Sequence, residues 1–286
     1  MKNRLKIGIT DTSYGVYGFE DRIKKIASHD YDCIDYQGFV NIETDFFNLP
    51  MEDFLSELRR QKELITSHGL EISQVHAPWR TPKDGDPEQR KLWILAMKKS
   101  IVGTHELGCK RFVVHPLFPY MESDEHPLEV WQMNEEFLGD LADFAKEYDV
   151  LVCLENMPFP VFPITTVEDD LEMLHRLGRD NLRICLDTGH AAIFKKSNVA
   201  EAVRQIGDLL EAVHIHDNMG LVDEHLIPGD GIIDWDEFAA ALKEVGFNKV
   251  ISLETSAKHG KHPKEEWEQR ELNLAAIAKD LAAKAY

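Results

Sequence analysis

Six apolar runs in this chain end on a carboxylate or an imidazole, and that recurrence constrains the fold more than any other feature. They close as Gln74-Val75-His76, Val113-Val114-His115, Cys153-Leu154-Glu155, Cys185-Leu186-Asp187, Ala212-Val213-His214 and Ser252-Leu253-Glu254. A seventh segment, Asp223-Glu224-His225, alternates two further metal-ligand types. Runs of aliphatic and β-branched residues read as buried strands. A closed barrel enzyme keeps its chemistry at the C-terminal edges of such strands.

Counting every strand-like run gives eight: 5–10, 33–37, 71–76, 111–115, 150–155, 182–187, 211–216 and 250–254. Amphipathic segments with helix punctuation lie between them. Asp86-Pro87 reads as a helix cap and first turn, with Gly108 past its end. Pro50 opens 51–68 and Gly69 closes it; Asp234 opens another helix, closed by Gly246, and 264–285 reads as a terminal helix. Strand–helix alternation argues a parallel sheet. An open doubly wound sheet would usually carry a glycine-rich phosphate loop after its first strand. Asp11-Thr12-Ser13-Tyr14-Gly15-Val16-Tyr17-Gly18 is not one. The expected fold is α/β, a single (β/α)8 TIM barrel over residues 1–286, with a metal site at the C-terminal face of the strands. The length of 286 residues suits it, as such barrels commonly run about 250. The loop 116–127 is long for its place and reads as a lid or a plain covering loop.

Composition narrows the partners. The formal charge is −19, and such a surface repels phosphate backbones and anionic membranes. Nucleic-acid affinity rests mainly on Lys and Arg neutralising phosphates, so no nucleic-acid partner is expected. No apolar run nears the roughly 20 residues that span a bilayer, and the N-terminus does not read as a signal peptide. A cytoplasmic protein is expected, with a homo-oligomer open. Cys33, Cys109, Cys153 and Cys185 form no CxxC pair and read as buried hydrophobes in a reducing compartment.

Glu155, Asp187, His214 and Glu254 end the fifth to eighth strands, so a closed barrel brings them to one mouth. Carboxylates with an imidazole suit a divalent cation such as Mn²⁺, Zn²⁺ or Co²⁺. His76, His115, His190, Asp223 and His225 are additional candidate ligands. Nine donors exceed what one ion takes, so either more than one ion binds or some of them hold substrate and orient the ligands. His190 and His225, with Trp79 and Trp235, are the expected substrate contacts; Phe118 and Tyr14 are further candidates for the wall. Lys195-Lys196 is a candidate phosphate contact. His29, His68, His105, His126, His175, His259 and His262 are expected to be solvated.

The runs Leu154-Glu155-Asn156, Leu186-Asp187-Thr188-Gly189-His190 and His214-Ile215-His216-Asp217-Asn218 resemble those of the xylose-isomerase-like TIM-barrel superfamily. So do His225-Leu226-Ile227-Pro228-Gly229-Asp230-Gly231 and Leu253-Glu254-Thr255. The superfamily includes sugar-phosphate isomerases, ketose epimerases, inosose dehydratases and zinc-dependent apurinic endonucleases. In its epimerase branch the resemblance implies one catalytic metal on Glu155, Asp187, His214 and Glu254. In its endonuclease branch it implies three zinc ions on all nine donors. The net charge, and the lack of a basic residue in Asn218-Met219-Gly220-Leu221-Val222, argue against gripping DNA.

The expected enzyme is therefore a metal-dependent isomerase or epimerase of a sugar, sugar phosphate or cyclitol. It would remove a proton beside a carbonyl to give an enediolate, with Glu155 and Glu254 as the catalytic pair. Expulsion of a β-hydroxyl from the same enediolate would make it a lyase or dehydratase. An apurinic-endonuclease-like phosphodiesterase and a non-catalytic sugar-binding subunit are the other readings.

Overall fold

A computed structural model describes residues 3–79, 87–118, 127–195 and 198–286. Strand propensity and helix punctuation decide the elements. The strands are β1 (Lys6–Thr10), β2 (Cys33–Tyr36), β3 (Glu71–His76), β4 (Arg111–Val114), β5 (Leu151–Glu155), β6 (Leu182–Asp187), β7 (Leu210–His214) and β8 (Val250–Leu253). The α-helices are α1 (Phe19–Ser28), α2 (Met51–Ser67), α3 (Pro87–Leu107), α4 (Pro127–Lys146), α5 (Val167–Leu177), α6 (Thr188–Lys195), α7 (Val199–Ile206), α8 (Trp235–Glu244) and α9 (Trp267–Lys284). Gly69, Gly108 and Gly246 follow α2, α3 and α8 at positive φ, where a side chain would be strained. Asp234 caps α8, accepting the Glu237 amide at 3.0 Å.

All strand pairs are parallel, in the order β7-β6-β5-β4-β3-β2-β1-β8. The ring closes where Ile215 bridges Leu253: the Ile215 amide donates to Ser252 at 2.9 Å and the Glu254 amide to Ile215 at 3.0 Å. This is the (β/α)8 TIM barrel. Most apolar residues form one core cluster between strands and helices. Val113, Cys153, Cys185 and Ala212 form a second, small-residue cluster. They stand at alternate positions in phase with His115, Glu155, Asp187 and His214, and strand side chains alternate between faces. Along β4 to β7 the interior of the ring is thus a small apolar layer with the donor residues directly above it.

At the other end of the ring, Arg111 on β4 lies 2.8 Å from Glu211 on β7, which also meets Lys249 at 3.2 Å. The four cysteines are buried and free of disulfides, and burial pushes the Cys33 thiol up to about 12 and that of Cys109 to about 11. Among the described residues no helix is long and apolar enough to cross a membrane.

Two histidines differ from the expectation of solvated rings. His29 and His259 are buried. Tyr14 meets His29 Nδ1 at 2.8 Å, and Glu271, fully buried on α9, lies 2.7 Å from His259 Nε2. A long-range carboxylate draws both rings inward and ties the first unit of the barrel to the last. Asp86, residues 119–126 of the long loop, His126, Lys196 and the side chain of Lys195 fall outside the described residues.

Asp170 on α5 is fully buried, and neither carboxylate oxygen has a hydrogen-bond partner. Burial, reinforced by Asp169 and Glu155, pushes its carboxyl well above the usual range. An acid whose folded value is raised costs stability once pH exceeds its unfolded value of about 3.9. Asp170→Asn is therefore expected to raise the melting temperature by a few degrees at pH 7. The gain should vanish near pH 3.5, where the wild-type group is protonated folded or unfolded. Melts showing no gain at pH 7, or the same gain at both pH values, would contradict this account.

Candidate metal centre and substrate cleft

Glu155, Asp187, His214 and Glu254 reach the mouth because their strands end at or just before them. His214 is fully buried, with Nδ1 at 2.9 Å from Glu155 Oε1 and 3.3 Å from Glu254 Oε2. Asp187 completes the group: Glu155, Asp187, His214 and Glu254 each offer a ligand atom, all within 4.8 Å of one another. The other Glu155 oxygen faces His115 Nε2 at 3.1 Å and His76 Nε2 at 3.6 Å. A second group consists of His190, His216, Asp223 and His225. Its His190 Nε2 and His225 Nε2 lie 3.4 Å and 3.1 Å from Asp223 Oδ2. Asp187 joins the groups, with His216 Nε2 at 3.0 Å.

The non-ligand residues of the sequence motifs bind these strand ends together. Asn156 accepts the Asp187 amide at 2.9 Å and returns a bond to the Asp187 carbonyl at 3.0 Å. Thr188 Oγ1 donates to the His216 carbonyl at 2.7 Å, and Asn218 donates to the Gly189 carbonyl at 2.6 Å. Gly189 is required by close approach: a Cβ there would stand 1.9 Å from His216 Cε1. Asp217 folds the loop after β7. It exchanges backbone bonds with Leu226 at 2.8 and 2.9 Å, and its carboxylate accepts the Gly229 amide at 3.0 Å and Trp235 Nε1 at 2.9 Å. That loop carries Asp223 and His225, the latter at φ 46.

Several imidazoles are aimed by their outer nitrogen. His76, His190 and His225 donate Nδ1–H to the carbonyls of Ala77, Asn156 and Glu254 at 2.8, 2.8 and 2.7 Å. Each thereby turns Nε2 toward the carboxylates, as an oriented ligand histidine does. Burial disfavours every charge here, and the balance between neighbours decides each group. For Glu155 burial is outweighed by His214 and His115, which hold it well below the ordinary carboxylate range. For Glu254 burial is joined by the charges of Glu155 and Asp187, and it rises despite His214. Burial opposes the charged ring of His190, but Asp187, Asp223 and Glu155 hold it up at about 10. His225 rises to about 9, with Asp223 and Glu254 overcoming burial. Buried charges are normally paired or coordinate metals. This donor set of carboxylates and pre-aimed imidazoles therefore fits a divalent cation.

A cleft of about 220 Å³ opens above these donors. Gln37, Val40, Trp79, Met157 and Phe159 line it opposite His76, His115, Glu155, His190, Asp223, His225 and Glu254. The expected wall is partly corrected. Trp79 lines the cleft, though about half exposed. Trp235 does not: its indole is held by Asp217, and its ring lies in a separate groove with Pro228 and Ile277. Tyr14 is buried against His29, and Phe118 packs edge-on to Phe159 at 5.4 Å, behind the lining. Besides the lining residues Gln37, Val40, Met157 and Phe159, two polar residues of the site were not foreseen. His216 stacks on His225 at 4.0 Å, and its signal was the alternation that puts it on the same face as His214. Asp35 meets His214 Nε2 at 2.9 Å, and its signal was an acid inside an apolar strand.

Comparison with known proteins agrees with this architecture. The family model described as a xylose isomerase-like TIM barrel matches residues 23–276. An uncharacterised protein of Methanocaldococcus jannaschii is 31% identical over 87% of this chain and 83% of its own length. Inosose isomerase of Bacillus velezensis is 32% identical over 56% of this chain, a match spanning 59% of that enzyme. A solved D-tagatose 3-epimerase-like protein superposes with a TM-score of 0.78 at 28% identity, covering 97% of each chain. The match of the family model across nearly the whole barrel establishes that this chain belongs to the xylose isomerase-like TIM-barrel family.

Proposed function

We propose that this protein is a cytoplasmic, divalent-metal-dependent isomerase or epimerase of a small carbohydrate: a sugar, sugar phosphate or cyclitol. The observation that carries the reading is the convergence of Glu155, Asp187, His214 and Glu254, ligand atoms within 4.8 Å, beneath one cleft. The likeness to an inosose isomerase and to a D-tagatose 3-epimerase-like protein supports it. The cleft, at about 220 Å³, is smaller than the roughly 300–1,000 Å³ of drug-sized sites and suits a monosaccharide.

These four residues would hold Mn²⁺, Zn²⁺ or Co²⁺, which would supply Lewis acidity toward a substrate carbonyl. Proton transfer falls to the protein. Glu155 and Glu254 both line the cleft, so both carboxylates can reach a bound substrate. Of the two, Glu254 is the more exposed to the cleft, and the pair is placed to take a proton from carbon and to return it. Return to the opposite face gives an epimer; return to the neighbouring atom gives an isomer. His190 and His225 present Nε2 toward the cleft to hold substrate oxygens. Loss of a β-hydroxyl in place of reprotonation would make the same residues a dehydratase. The completeness of the second donor group favours one further reading, a polynuclear phosphodiesterase; the net charge of −19 weighs against DNA as its substrate.

Three outcomes are expected. Ketohexoses and inososes incubated with metal-loaded enzyme in D₂O should include one that gains deuterium beside its carbonyl; turnover of none of them, with EDTA-sensitive nicking of an abasic duplex, would establish the phosphodiesterase instead. Stripping with EDTA should lower the melting temperature and re-addition of Mn²⁺ or Zn²⁺ restore it. The stabilisation should be about 2.7 kcal/mol at a hundred times Kd, and superimposable melts would remove the metal from the scheme. Glu254→Gln should keep the fold but lose more than about a hundredfold in turnover, in line with general acid–base contributions of about 10²–10⁴; near-native turnover would dismiss Glu254 as a proton carrier.

A further inference from the structure

Asp35 on β2 is fully buried in the barrel interior, and its carboxylate meets the back of His214. Its Oδ2 accepts from His214 Nε2 at 2.9 Å and from Gln74 Nε2 at 2.9 Å. Its Oδ1 accepts from Gln37 Nε2 at 3.1 Å. The Gln74 amide also reaches the Val213 carbonyl at 3.4 Å, so one side chain braces both the carboxylate and the strand that carries the imidazole.

This wiring is the reverse of that at His76, His190 and His225. There a backbone carbonyl holds Nδ1 and Nε2 faces the donors. At His214, Nε2 is held and Nδ1 faces Glu155 and Glu254. The partner also differs in kind. A carbonyl fixes a ring, whereas a carboxylate fixes it and adds negative charge behind it. That charge raises the basicity of the opposite nitrogen. An asparagine at this position can turn either its oxygen or its N–H to the ring, and so does not enforce one tautomer.

Resting on the cation reading above, we propose that Asp35 is the positioning residue of the metal centre. It holds His214 in the Nε2–H tautomer, so that Nδ1 is the lone pair offered between Glu155 and Glu254. Gln74 and Gln37 hold Asp35 in turn, and the chain of contacts runs from the cleft wall through the barrel interior to the ligand.

The test uses full-length protein stripped with EDTA and titrated with Zn²⁺ by calorimetry, beside melts of the metal-free forms. Asp35→Asn is expected to bind Zn²⁺ about 10–100-fold more weakly than wild type. Its metal-free form is expected to melt lower, because one partner of the buried Asp35–His214 pair is lost, so the titration is run well below that melt, where both proteins are folded. Unchanged affinity overturns the assignment, and a lower metal-free melting temperature with unchanged affinity gives Asp35 a role in the fold alone. Should Asp35→Asn not fold, Gln74→Leu removes one donor from Asp35 and leaves the carboxylate in place. A weaker loss in the same direction is then expected, and wild-type affinity overturns the proposal. Failure of the wild type itself to bind Zn²⁺ or Mn²⁺ is a different result. It removes the cation reading and this assignment with it, whereas a wild type that binds beside an equally tight variant removes only the role of Asp35.

Discussion

Like charges crowded where little water reaches are the constraint on which this structure depends. Glu155 and Asp187 are buried, Glu254 and Asp223 partly so, and all four converge at one mouth. Carboxylates this close cannot all stay ionised unless positive charge accompanies them. The partners that the barrel brings within reach are imidazoles. A lysine or arginine would neutralise the cluster permanently. An imidazole does so only while protonated, and on losing its proton becomes a ligand. On the proposed reading, a cation entering such a centre would displace protons from these imidazoles.

The interior layers make the convergence possible. A closed ring of eight strands is just wide enough to be filled by side chains. Val113, Cys153, Cys185 and Ala212 are small, and they fill the β4–β7 side of one layer of the interior. The next residue in phase on each of these strands is a donor: His115, Glu155, Asp187 or His214. At the opposite rim Arg111, Glu211 and Lys249 pair among themselves, so the two polar ends are separated by the apolar layer.

Much of this was legible in the sequence, because the strands announce themselves by β-branched and aliphatic runs and the helices by their caps. The runs at 33–37, 111–115, 211–216 and 250–254 overshoot the ladders by a residue or two, because strand tips leave the sheet as their side chains turn into the mouth. Asp35 was missed by attending to strand ends: it sits inside an apolar run, yet shares the phase of Cys33 and Gln37, which already marks it as interior. His216 was missed because the alternation outlasts the strand. Trp235 could not be placed from its neighbours. Its bond to Asp217 depends on how an 18-residue stretch folds back, which no local pattern encodes. The burial of His29 and His259 likewise depends on Glu271, a partner 242 positions from His29 and visible only in three dimensions.

The two donor groups differ in what holds them, and that difference bears on how one family serves several reactions. Glu155, Asp187, His214 and Glu254 stand on or beside strands whose backbone bonds leave little freedom. Asp223 and His225 ride on a loop shaped by Asp217, with His225 in a left-handed conformation that side chains rarely adopt. Such strain persists only where surrounding contacts enforce it. The Asp217 carboxylate is that enforcement, together with Thr255, whose hydroxyl donates to the His225 carbonyl at 2.8 Å. Barrel enzymes change chemistry through their loops while the strand ends stay in place. On that division the proposed common step, removal of a proton beside a carbonyl, would belong to the strand-borne group. Under the same proposal the loop-borne group would meet the part of the substrate where isomerase, epimerase and lyase diverge.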